Sequence, residues 1–470
     1  MTQLRPAANS EVKYSMYHGM PLSQALVLLA EVIVVIVATQ WRNFHPFLVI
    51  VVIATAFGFM AGFPTAQLAS DFGSGFSEKI YSPGLVIVAA GLITGLAEST
   101  AASERVMATF DRWRWLGSTR LAALLGLFAG IASSPTAAFA LITPVVPAIG
   151  GKTVQSRQAT SVTLALAISA SHGLLVLTPV PIAAAAILGA QWDRVALFGL
   201  PLALLLVASG AVFARWLSTV GAAPQPPVQP PTQPQDPLTR KQSGGSAIVL
   251  LLAIVVPLLL LMVQSLGDMP SEPLGTGLAR EWALGIGRPL VLFLVALGIM
   301  IVGHMRQGFS LLTDHVWTSS ILGKVSGTLL VICAAGGLQR LCQVTGMAEL
   351  LGERVLAWQV GPLGVLIPFL VAAVIKTLQG SSLVAAITTA GMVQPLLVAL
   401  GLGDANGKAL AALAIGAGAM TVSHINDEYF WLVTESAGLR PLRGFAAISL
   451  GTLLQGVIAV AALLLLSVLV

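Results

Sequence analysis

The stretch Arg120 to Gly150, RLAALLGLFAGIASSPTAAFALITPVVPAIG, decides how this chain is folded. It holds two apolar pieces of about 14 residues, and at 1.5 Å per residue each reaches only about 21 Å, short of a hydrocarbon core of roughly 30 Å. Between them stands Ser133-Ser134-Pro135-Thr136. Two stubs too short to cross a bilayer read most economically as a re-entrant hairpin that enters and leaves on one side. Its non-helical tip is tolerated only where it lines a polar cavity.

The surroundings of this stretch are those of a membrane protein. Of 470 residues, 56% are apolar and 9% charged, against about 25% charged in soluble domains, and the mean hydropathy is +0.90. The apolar residues fall in many separate runs long enough to span. The first run, Leu22 to Thr39, lacks a small-residue cleavage site and is read as a retained span. The net charge of +5 does not point to nucleic acid, because Lys and Arg sit in short loops where they orient the chain. Cys333 and Cys342 have neither metal-ligand spacing nor a disulfide framework, which argues against redox chemistry and a metal centre.

Gly221 to Ser246, with seven prolines, reads as an extended linker between residues 1–220 and 247–470. The first half carries spans near Leu22–Thr39, Pro46–Gly62 and Pro83–Leu96, the hairpin 120–150, an interrupted span 161–188, and Val195–Leu217. The second repeats that order: Ala247–Ser265, Arg288–Gly303, Ile321–Leu338, a hairpin 361–398 with the tip Gln379-Gly380-Ser381-Ser382, an interrupted span 409–433, and Phe445–Val470. Ser134 precedes His172 by 38 residues, and Ser382 precedes His424 by 42. Five crossings per half place the second half upside down relative to the first. The predicted fold is thus an all-α polytopic membrane protein of two inverted repeats, each with about five transmembrane helices, one of them interrupted, and one re-entrant helical hairpin. On this plan fourteen basic residues face one side and nine, Lys79 among them, the other. The positive-inside rule then makes the linker cytoplasmic and both termini external.

Polar groups at membrane depth are costly and mark function. At the first tip Ser133, Ser134 and Thr136 supply hydroxyls, and Pro135 suits the first position of a half-helix whose free N–H groups attract an anion. At the second tip Lys376, Gln379, Gly380, Ser381 and Ser382 supply a cation, an amide and hydroxyls. The competing reading is that Lys376 snorkels and the serines only cap helices. The interrupted spans carry Ser171-His172 and Ser423-His424-Ile425-Asn426-Asp427-Glu428. Each histidine alone suits a structural hydrogen bond, but the pair recurs at corresponding places. Asp427, His424 and Glu428 are the candidate proton carriers, with Asp427 closest to the break. Gly126 and Gly130 suit close helix packing. Gly401-Leu402-Gly403-Asp404 resembles an intramembrane protease motif but lies in a polar loop without a partner Tyr-Asp. No Walker, zincin or dinucleotide motif is present, so neither a nucleotide cofactor nor ATP drives this chain.

The sequence resembles the gluconate permease (GntP) family of the ion transporter superfamily. The resemblance rests on Asn43-Phe44-His45-Pro46-Phe47 with Gly58-Phe59-Met60-Ala61-Gly62, on Asp71-Phe72-Gly73-Ser74-Gly75-Phe76, and on Gly95-Leu96-Ala97-Glu98-Ser99-Thr100-Ala101-Ala102. Most specific is Ala414-Ile415-Gly416-Ala417-Gly418 followed by Ser423-His424-Ile425-Asn426-Asp427 and Phe430-Trp431. The resemblance implies proton symport of a gluconate-like organic anion across the bacterial inner membrane by an elevator-type homodimer. It matches Gly380 and Ser381 to the family's Thr-Gly-Ser tip, with Ser382 at the following alanine and Lys376 at a common arginine. The chain departs from the family at Ser133-Ser134-Pro135, where many members have Phe-Phe-Asp. It departs again after His172, where Gly173-Leu174-Leu175-Val176-Leu177-Thr178-Pro179 replaces a proline- and histidine-rich run. Both changes alter the charge and hydrogen bonding of the pocket. The alternatives are a sodium-coupled carboxylate transporter of the same architecture and, from other classes, an intramembrane enzyme or a membrane anchor.

Overall fold

The computed structural model describes residues 44–99, 117–150, 153–220, 247–267, 272–304, 315–346 and 363–469, except positions 133 and 177, with a few further positions between 30 and 38. The span Leu22–Thr39, the Thr100–Ala102 end of Gly95–Ala102, Ser133, the linker 221–246 and the first residues of the hairpin 361–398 therefore lie mainly or wholly outside the described residues.

Every described element is a helix. In the first half these are α1 (Pro46–Met60), α2 (Thr65–Lys79), a π-helical turn (Ile80–Gly84), α3 (Leu85–Ser99), α4 (Ser118–Ala129), α5 (Pro135–Ile142), α6 (Val154–Leu174), α7 (Pro179–Leu188) and α8 (Trp192–Thr219). In the second they are α9 (Ala247–Gly267), α10 (Leu278–Ile286), α11 (Pro289–His304), α12 (His315–Val344), α13 (Leu366–Gln379), α14 (Ser382–Val393), α15 (Ala405–Ala419) and α16 (Glu428–Ser436), then Pro441–Gly444, a π-helical turn (Phe445–Ser449) and α17 (Leu450–Leu469).

Among the described residues, five helical stretches are long and apolar enough to cross a membrane: Val154–Leu188, Trp192–Thr219, Ile248–Gly267, Thr318–Val344 and Pro441–Leu469. A sixth arises if α10 and α11, bent by 68° at their junction, count as one. The segments expected to form hairpins are shorter helices, α4 and α5 in one half and α13 and α14 in the other. In the two segments expected to be interrupted, one helix ends at Leu174 and the next begins at Pro179, and one ends at Ala419 and the next begins at Glu428.

Local chemistry explains these ends. Pro46, Pro135 and Pro179 occupy first helical positions, where a missing N–H costs nothing. Asp404 caps α15 by accepting from Asn406 N and Gly407 N at 3.3 and 3.0 Å. Gly380 ends α13 at φ +73°, a conformation that suits glycine.

The interior is sealed by small residues. α4 packs on α6 and α13 on α15, while α7 packs on α14 and α5 on α16. A side chain at Gly126 or Gly130 would collide with Ala167 or Ser171 of α6, as the small-xxx-small spacing predicted. α6 and α15 cross where Gly173 and Gly416 each face the other's carbonyl oxygen. On the flank, α2 lies against α12, and α12 against α16.

Candidate functional site

Three helix starts face one cavity of about 180 Å³. Ser134 Oγ caps α5 by accepting from Ala137 N at 3.2 Å, and Ser381 Oγ caps α14 by accepting from Val384 N at 3.4 Å. Asp427 Oδ1 caps α16 by accepting from Tyr429 N at 2.9 Å. The N–H groups of Thr136, Ser382 and Leu383 sit in first turns, where position alone denies them an intrahelical acceptor. All three residues line the cavity. Such starts carry partial positive charge and attract anions.

The charged centre is a buried ion pair. Lys376 Nζ lies 2.5 Å from Asp427 Oδ2 and donates to the Gly380 carbonyl at 2.7 Å. The two residues are 3% and 5% exposed, too dry for Lys376 to be a snorkelling surface cation. Ser423 Oγ donates to the same Asp427 oxygen at 2.6 Å. One carboxylate thus holds the second tip, the break and the start of α16 together. Buried ions require this degree of compensation.

Of the residues expected at the site, Ser134, Thr136, His172, Lys376, Gly380, Ser381, Ser382, Ser423, Asp427 and Glu428 line the cavity. His172 is 6% exposed, and its Nδ1 has no hydrogen-bond partner among the described residues. Four others are in the walls instead. Ser171 donates to the Ala167 carbonyl at 2.8 Å and packs under Gly130. Gln379 is buried at the end of α13. His424 Nε2 lies 2.6 Å from the Thr377 carbonyl, and because a carbonyl only accepts, that nitrogen carries the proton. Asn426 Nδ2 donates to the carbonyls of Thr377 and Leu378 at 3.1 and 3.0 Å. His424 and Asn426 thereby satisfy carbonyls that α13 leaves orphaned at its end, which is why they do not face the cavity. Ser133 lies outside the described residues.

Several site residues escaped sequence reasoning. Lys79, read as a loop cation, ends α2, is 9% exposed, and places Nζ 3.6 Å from Glu428 Oε2. Its signal was its place at the end of an amphipathic helix, just before an apolar run. Ser169 and Tyr429 also line the cavity. Behind them, Ser449 Oγ donates to the Ser423 carbonyl at 2.6 Å, and Thr452 Oγ1 accepts from Ser423 N at 3.3 Å. Both are hydroxyls in a largely apolar span, the one clue the sequence offered. Among the described residues no cluster of His, Cys, Asp and Glu suits a metal ion.

The model of the GntP family permeases matches residues 20–469. The chain belongs to this family. It is 27% identical to a gluconate permease of Pseudomonas aeruginosa over 428 residues, covering 88% of this chain and 90% of that one. It is 26% identical to the D-serine transporter DsdX of Escherichia coli over 448 residues, covering 94% and 97%. Among solved structures, Neisseria gonorrhoeae MtrF matches with a TM-score of 0.33 at 15% identity over 86% of this chain and 83% of that one, too slight a likeness to define the fold. A member of this permease family with several membrane-spanning helices is an integral protein of the bacterial inner membrane, and it is a transporter rather than an enzyme.

Proposed function

We propose that the protein is a proton-coupled symporter that imports a small hydroxylated monocarboxylate of the gluconate type. The observation that carries this reading is the Lys376–Asp427 pair in a cavity faced by three helix starts. While Asp427 is ionised it neutralises Lys376, and only the weaker partial charges of the helix starts remain for an anion. A proton on Asp427 leaves Lys376 cationic and available to a substrate carboxylate. Proton and anion then bind together, which is the requirement for symport. The named substrates of the relatives, gluconate and D-serine, each combine a carboxylate with at least one hydroxyl, D-serine carrying an ammonium as well, and Ser134, Ser381 and Ser382 offer matching hydrogen bonds.

Transport is read as an elevator movement in a homodimer. Each half is an inverted repeat in which a re-entrant hairpin, α4–α5 or α13–α14, meets a broken helix, α6–α7 or α15–α16. The reciprocal packing of these pieces supports the repeat: α4 on α6 answers α13 on α15, and α7 on α14 answers α5 on α16. Sodium coupling through break carbonyls is the second reading. It is less well supported, because the carbonyls of Ser423, His424 and Ile425 already accept hydrogen bonds from Ser449 Oγ, Asp427 N and Trp431 Nε1. Thr178 Oγ1 serves the carbonyls of His172 and Leu175 in the same way.

The test is uptake into proteoliposomes under an imposed pH gradient, with and without sodium. Wild-type protein is expected to concentrate gluconate in sodium-free buffer. Asp427→Asn, fixed in a neutral form, is expected to bind the acid yet lose gradient-driven accumulation. Full accumulation by that variant would remove Asp427 from the coupling mechanism.

A further inference from the structure

The cavity has a second ion pair, and the coupling mechanism does not use it. Glu428 follows Asp427 directly and lines the cavity, but it answers to a different cation on a different element. Lys79 of α2 lies 3.6 Å from Glu428 Oε2, a separation of ion-pair attraction rather than a hydrogen bond. Glu428 Oε2 is buried and accepts no hydrogen bond among the described residues. Lys79 also has Glu78 Oε1 at 3.5 Å, but Glu78 is largely exposed and its attraction is correspondingly screened. Glu428 is therefore a buried acceptor beside the proposed carboxylate site, with its charge balanced from behind by a cation not among the lining residues.

From this geometry, and resting on the anion-binding reading above, we infer that Lys79 is a specificity-determining residue. Acting through Glu428, it makes the cavity prefer a hydroxyl over an ammonium on the substrate carbon near the carboxylate. A balanced carboxylate accepts a hydrogen bond from a hydroxyl without gaining from a positive charge, and a cation placed there would meet Lys79 as a like charge. Without Lys79, Glu428 becomes an uncompensated, partly buried anion, and a cationic amino group satisfies it best. A tie that served only to fasten α2 to α16 would have no such preference, since its loss would weaken neutral and amino ligands alike.

The matched probes are gluconate and 2-amino-2-deoxygluconate, which differ only in the substituent beside the carboxylate. Dissociation constants come from thermal-shift titration of the full-length purified protein at neutral pH. Wild type is expected to favour gluconate. In Lys79→Met the ratio of the two constants should move toward the amino acid by about tenfold, the effect of one partly buried charge, while Lys79→Arg keeps the wild-type ratio. Glu428→Gln, which leaves Lys79 only the exposed Glu78 as a counter-charge, should move the ratio the opposite way and carries the test if Lys79→Met does not fold. An unchanged ratio in Lys79→Met, or in Glu428→Gln where it stands in, overturns the assignment even if both ligands bind more weakly. A wild type that binds neither ligand overturns the anion site itself, and with it this inference.

Discussion

Lys376 and Asp427 are each costly to bury and together tolerable. Removing one partner is therefore worse than removing both. Lys376→Met strands a carboxylate that keeps only Ser423 Oγ and Tyr429 N, and loss of one member of a buried pair costs about 3–5 kcal/mol. The double variant Lys376→Met/Asp427→Asn is expected to regain most of that stability in a melting experiment while remaining inactive in uptake. A double variant no more stable than the single one would show that the pair is not the main tie between tip and break. At this scale the sequence showed which residues were out of place, since a lysine and an aspartate in apolar spans need a reason. It did not show that they meet, because 51 residues separate them. Nor did it separate the polar side chains that face the cavity from His424 and Asn426, which cap the end of α13. A side chain's task depends on which neighbouring backbone groups lack a partner, and that is known only once the helices are placed.

The two broken helices are broken for different reasons. Between α6 and α7, Pro179 and Pro181 supply the usual chain-breaking chemistry. Between α15 and α16 there is neither proline nor glycine from Met420 to Asp427, and Val422 turns the chain at φ +54°, a conformation unfavourable for a β-branched residue. Hydrogen bonds from Ser449, Trp431 and Lys376 onto the break and its carboxylate offset that strain. The first break was thus readable from local residues. The second was readable only from its polar composition. Ahead of these breaks α6 and α15 touch backbone to backbone, and a methyl group at Gly416 would collide with the Gly173 carbonyl. Gly416→Ala is expected to cost about 1–3 kcal/mol by overpacking, read as a lowered melting temperature. The control is Gly298→Ala in α11, where nothing lies within 4 Å of the added carbon. There the change should be neutral or stabilising, since alanine favours helix by about 0.5–1 kcal/mol. Equal losses at both positions would deny the crossing any special role.

For the whole molecule, the proposed orientation places the linker 221–246 in the cytoplasm and both termini outside. A cysteine introduced at Gln233 should react with a membrane-impermeant maleimide in inside-out vesicles and not in intact cells. Cys333 and Cys342 are buried, so they contribute little background. Labelling from the outside alone would reverse the assignment of sides and exchange the roles of the two hairpins.

Composition and periodicity by themselves determined that this chain is a helical membrane protein, where its short and interrupted segments lie, and which polar residues are anomalous in them. These follow from local rules: hydrocarbon thickness fixes helix length, and desolvation makes every buried polar group conspicuous. Only the tertiary structure decided that three helix starts share one cavity, that Lys376 pairs with Asp427, and that Lys79 stands behind Glu428. Those contacts join elements far apart in the chain. Charge pairing acts through space, and no sequence spacing encodes the distance across which it acts.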